Sequence, residues 1–238
     1  MLHRSTRIKG AKVLASDGRI GVVIDLYFDD QEWIVRHLVV STGRWLTGRR
    51  VLISPRSVLS VDPGKRTITL SLERERVRHS PPIDTDLPVS RQCEARLYQY
   101  YGYPQYWQWP GPNLVAAPIS TAPPAVMPVP SADRMELSEL RRANRIKRHG
   151  QNDSETHLRS AAKVTGYRLE GANQPAGSIE DFLIDDGTWL IKHLVVNTGR
   201  WLPGKRVLVA PARIRSLDWI RRTVAVDLPG EALKAGRA

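Results

Sequence analysis

The sequence predicts an all-β protein made of two tandem six-stranded β-barrels packed as a pseudo-twofold pair, and three observations carry that prediction. First, the stretch His37–Ile53, HLVVSTGRWLTGRRVLI, returns as His193–Val209, HLVVNTGRWLPGKRVLV. Counted from Arg36 and Lys192, thirteen of eighteen positions are identical. Second, the spacing of 156 residues holds without a gap over a longer span, pairing Gly10 with Gly166, Gly21 with Gly177, Trp33 with Trp189 and Thr67 with Thr223. One unit is therefore written twice. Third, each copy consists of short runs of alternating hydrophobicity separated by turn residues, which is the pattern of a small closed sheet.

The first copy shows the elements in order. Arg7–Ala15 leads in, and Ser16-Asp17-Gly18 has the residue types of a turn. Arg19–Phe28 reads as a strand, Asp29-Asp30-Gln31-Glu32 as a polar hairpin loop, and Trp33–Ser41 as the returning strand. Period two puts Trp33, Val35, His37 and Val39 on one face, and Ile34, Arg36, Leu38 and Val40 on the other. Both faces are mainly apolar, so one is expected to fill a barrel and the other to meet a second layer, with the twin copy as that layer. Thr42–Arg50 is a loop. Val51–Ser54 is a strand stopped by Pro55, Ser57–Asp62 is another, and after a Pro63-Gly64 turn Arg66–Glu73 alternates as a half-buried strand. The second copy repeats this order and differs chiefly at turns. Trp219-Ile220 replaces Pro63-Gly64, an apolar pair expected to touch the first barrel or the segment between copies.

The boundaries predicted are 7–78 and 157–230 for the copies, with 79–156 between them. A unit of roughly 70 residues buries only about 60% of the surface its unfolded chain exposes, so each copy is expected to lean on its twin. The intervening segment has a Pro-rich stretch at 80–90. An aromatic run at 98–109 holds five of the seven tyrosines, and an uncharged Pro/Ala stretch fills 110–130. Asp133 with Glu136 predicts a capped basic helix over about 134–149. The aromatic run is too apolar to lie bare, so it is expected to pack on the barrels or to meet a partner.

The 238 residues carry a formal net charge of +12, with an isoelectric point near 10.2. Such a balance suits an acidic partner, whether RNA, an anionic membrane surface or an acidic protein face. The single cysteine, Cys93, rules out an internal disulfide and fits a reducing, cytoplasmic compartment. No apolar run reaches eighteen residues, so no segment is expected to span a bilayer.

WIVRHLVVSTGRWLTGRRVLISP and WLIKHLVVNTGRWLPGKRVLVAP, each preceded by a glycine, a strand and an Asp-Asp loop, resemble the PRC-barrel domain family. The similarity covers roughly 7–78 and 157–230. In that family the barrel is similar to the cytoplasmic domain of the photosynthetic reaction-centre H subunit and to the C-terminal domain of the ribosome maturation factor. The resemblance implies a non-enzymatic role in docking on and stabilising a larger assembly, with an RNA- or ribosome-associated role as the alternative.

No cofactor, metal or catalytic set emerges. Gly199–Arg206, GRWLPGKR, approaches a phosphate-binding loop, but Arg206 stands where a Ser or Thr must hold magnesium and a strand follows instead of a helix. Trp45 and Trp201 are expected to fold over the barrel ends. His37 and His193 have no second ligand at metal spacing and read as wall residues. Asp25, Asp29, Asp30, Asp181, Asp185 and Asp186 read as outer-face and hairpin residues. Two sets remain as partner-binding residues. One is the basic loops, Arg44, Arg49 and Arg50 mirrored by Arg200, Lys205 and Arg206. The other is the aromatics Tyr101, Tyr103, Trp107 and Trp109. The basic set suits phosphates; the aromatic set suits protein docking or a membrane headgroup region, and a second copy of the chain is a further partner open to either.

Overall fold

A computed structural model of the chain describes residues 1–46, 48–81, 91–108, 158–171, 175–199 and 206–227. The first half runs β1 (Leu2–Arg4), α1 (Ser5–Ile8), β2 (Lys12–Ala15), β3 (Gly18–Asp29), β4 (Ile34–Ser41), β5 (Arg50–Ile53), β6 (Val58–Asp62) and β7 (Thr67–Leu70). Two helices follow, α2 (Arg74–Arg78) and α3 (Arg91–Tyr101). The second half repeats the order as β8 (Leu158–Ser160), α4 (Ala161–Val164), β9 (Arg168–Glu170), β10 (Pro175–Asp185), β11 (Ile191–Asn197), β12 (Arg206–Val209), β13 (Ile214–Asp218) and β14 (Thr223–Val226). The protein is mostly β, as predicted, and its strands form two sheets of equal plan. Their orders are β5-β4-β3-β2-β7-β6 and β12-β11-β10-β9-β14-β13.

Among the described residues each sheet has seven strands, six from its own half as predicted and one from the other half. β1 pairs antiparallel with the end of β10, Leu2 opposite Asp185 and Arg4 opposite Leu183. β8 does the same to β3, with Leu158 opposite Asp29 and Ser160 opposite Tyr27. Three residues such as Leu2-His3-Arg4 show no periodicity, so neither arm is visible in the pattern.

The hairpins meet where these arms cross. Ile34 bridges Leu190, the Val35 amide donates to the Trp189 carbonyl at 2.9 Å, and the Ile191 amide donates to the Trp33 carbonyl at 2.7 Å. Trp33 and Trp189 both adopt positive φ, 54° and 59°. That conformation is uncommon for a bulky side chain and persists only where its surroundings fix it. Here it turns each tryptophan carbonyl toward the other half while the ring stays buried. Ile34, Leu38, Ile191 and Val195 are all buried, and one continuous apolar core runs through both halves from Ile8 to Val226.

The strict alternation predicted for the returning strand breaks at Arg36. The pairing passes from Tyr27 with His37 to Phe28 with Val35, leaving Arg36 as a β-bulge. Arg36 therefore shares the outer side with His37, and that side is covered by α3 and the turn after it rather than by the twin half. Close packing elsewhere dictates glycine: a Cβ on Gly21 would lie 2.0 Å from the Ser41 carbonyl oxygen, and one on Gly177 2.3 Å from that of Asn197. Trp219 and Ile220, expected to make a contact, are instead 41% and 78% exposed at the β13–β14 turn. The helix predicted over about 134–149, and the Trp201 and Trp45 side chains, lie outside the described residues.

Candidate interaction surface

The outer face of β4 and β5 is built to hold a helix. In α3, Glu94, Leu97, Tyr98 and Tyr101 fall at i, i+3, i+4 and i+7, one stripe of a helix, and all four are buried. Gly102 ends the helix at φ 72°. The Tyr103 amide donates back to the Tyr98 carbonyl at 2.8 Å and the Gly102 amide to that of Gln99 at 3.2 Å, a Schellman stop. The chain then lays Tyr103 and Tyr106 beside Tyr98, ring centroids 6.1 and 5.6 Å apart.

A polar cluster fixes the register of this cover. Glu94 is 1% exposed. Its Oε1 accepts from the Tyr106 hydroxyl at 2.8 Å and lies 3.0 Å from His37 Nε2. A buried carboxylate is tolerated because donors converge on it. The His37 ring meets Tyr98 edge-on at 5.9 Å. Arg36 lies 3.8 Å from the Tyr106 ring centroid, a cation–π contact, while it donates to Glu32. Arg76 donates to the Tyr101 carbonyl at 3.1 Å, and the Tyr100 hydroxyl donates to that of Arg76 at 2.8 Å. Burial pushes the phenols of Tyr98 and Tyr101 far above their usual pKa, and that of Tyr103 upward as well. Each stays neutral throughout the physiological range.

A second polar set joins the halves. Asp181 is buried and accepts from the Ser5 hydroxyl, from the Thr6 hydroxyl at 2.6 Å and from the Thr6 amide at 3.3 Å. Its counterpart Asp25 accepts from the Ser160 hydroxyl and from the Ala162 amide at 3.0 Å. Asp30 pairs with Arg159 at 2.7 Å and Asp186 with His3 at 2.8 Å. These carboxylates hold the exchanged arms in place. Sequence reasoning put them on outer faces and in hairpin loops, because their partners lie far off in the chain.

Of the residues singled out from sequence that are described, Tyr101 and Tyr103 stack with ring centroids 5.6 Å apart, close to Arg49. The Arg49 guanidinium is half-buried, donating to the carbonyls of Arg78 and Ser80 at and just after the end of α2, and burial lowers its pKa. Arg206 is exposed and engages both Glu180 oxygens at 2.8 Å. Arg50 is exposed at the start of β5. Tyr101 and Tyr103 lie in the core and Trp107 is half-buried against it, so the protein itself occupies these rings. The Arg44 side chain, Arg200, Lys205 and Trp109 lie outside the described residues. Spacing could have found α3: Glu94, Leu97, Tyr98 and Tyr101 already show helical period, but the aromatic run at 98–109 takes in only the second half of that stripe.

The second half presents the same face differently. Leu208, at the place of Leu52, is 42% exposed against 1%. Lys192 and Arg213 are exposed and His193 half-buried, where Arg36, His37 and Ser57 are buried.

Among the described residues, no helix is long and apolar enough to cross a membrane. No match was found among curated proteins. Residues 2–76 match the model of the PRC-barrel domain family. That span takes in β1 through β7.

Proposed function

We propose that the chain is a non-enzymatic adaptor that docks on and stabilises a larger macromolecular assembly. Residues 7–78 and 157–230 serve as two PRC-type units, and 79–156 joins them. The observation that carries this reading is the reciprocal exchange of β1 and β8, which locks two sheets of one plan into a single frame. The buried carboxylates Glu94 and Asp181 are engaged with donors that fix that frame, which is a scaffold's use of polar groups rather than a catalyst's. Apolar side chains remain at the surface of this frame, with Leu59 69% exposed in addition to Leu208 and Ile220, and they suit contact with other proteins.

The test is the assembly state of the chain in extracts of its own cells. The adaptor reading expects elution far above 26.8 kDa that survives ribonuclease and high salt. RNA binding through the basic loops predicts the reverse: affinity falling steeply between about 50 and 200 mM salt, with a shallower slope once Arg50, Lys205 and Arg206 are replaced by alanine. Collapse of the large species under ribonuclease would overturn the adaptor reading.

A further inference from the structure

Among the described residues, the two halves share the backbone of the outer face but not its cover. Four residue pairs join β4 to β5, from Leu38 with Ile53 to Ser41 with Arg50, and the equivalent four join β11 to β12. The bulge at Arg36 recurs at Lys192, where the pairing passes from Leu183 with His193 to Ile184 with Ile191. A leucine flanked by a cation and an imidazole therefore sits at matching places on both faces. In the first half His37 lies against Glu94 and Tyr98, Arg36 against Tyr106, and Leu52 is buried. In the second, Leu208, Lys192 and Arg213 are exposed.

We propose that this face of the second half docks an amphipathic helix of a partner protein, one that carries a carboxylate with a tyrosine one turn later, as α3 carries Glu94 and Tyr98. The proposal rests on the adaptor reading and names its docking site. Charge supports it: Lys192 and His193 on β11 and Arg213 just after β12 accompany the paired Val195 and Leu208, a setting that favours an acidic, aromatic ligand over an uncharged one. The chain's own sequence points to an outside supplier. Among its seven tyrosines only Tyr98 has an acidic residue four positions before it, and that helix is committed to the first half. A second copy has the same single helix, equally committed.

The probe is a labelled synthetic peptide with the sequence of residues 90–108, serine replacing its cysteine, titrated into the full chain by fluorescence anisotropy. Saturable binding is expected, weakened at least about tenfold by Leu208→Arg and by Lys192→Glu, as for a contact at the centre of an interface. Both positions are exposed, and thermal melting verifies that each variant folds. Displacement of the internal α3 from the first half would not respond to either substitution. Absence of saturation, or saturation indifferent to both changes, overturns the proposal. So does a concentration-dependent dimer that Leu208→Arg dissolves, since a second copy would then own the face. If Leu208→Arg leaves the chain within its large assembly, this site falls while the adaptor reading stands; if the chain joins no protein assembly, the adaptor reading itself falls.

Discussion

Asp181 binds three donors of the opposite half while shielded from water, and removing it leaves the Ser5 and Thr6 groups without an acceptor. Asp181→Ala is expected to lower stability by about 2–4 kcal/mol in urea denaturation. Asp25→Ala should cost less, because Asp25 is only half-buried. Gly21→Ala meets a different obstacle: the new methyl collides with the backbone of Ser41, which cannot retreat without opening the β3–β4 ladder. A loss of about 3 kcal/mol or more is expected, read as a lowered melting temperature. Neither role was legible in the sequence beyond the identity of the residues at equivalent positions. The donors of Asp181 and Asp25 come from the other end of the chain, and no local pattern announces a contact across 135 or 176 positions.

At the scale of elements the hairpin was legible almost to the residue: a strand expected over 19–28 spans Gly18–Asp29, and one expected over 33–41 spans Ile34–Ser41. Strand pleating and turn chemistry are local, so they leave their trace in composition. The bulge at Arg36 does not, since it depends on how two strands twist past each other. The aromatic cover was recognised as needing burial, yet its helix was not. The pKa of Tyr98, Tyr100, Tyr101 and Tyr103 is raised, chiefly by burial, which fixes the response to alkali. For phenols whose pKa is raised by folding, the stabilisation is complete below the unfolded value and is lost as pH rises above it. Stability should therefore fall from about pH 10 upward. A spectrophotometric titration should show these tyrosines ionising late, in step with unfolding. Tyr106→Phe should spare the ring packing but remove a donor from Glu94, at a cost of about 1–3 kcal/mol by the same denaturation measurement.

The whole molecule follows from the repeat, and the repeat was the clearest message in the sequence. What it did not reveal is that the halves trade arms, because each half written alone carries six strands of its own sheet. From that trade the halves are expected to associate without their covalent connection. Fragments 1–108 and 158–238, expressed together, should assemble into a stoichiometric pair that co-elutes in gel filtration, whereas either alone should aggregate through an unfilled edge on β3 or β10.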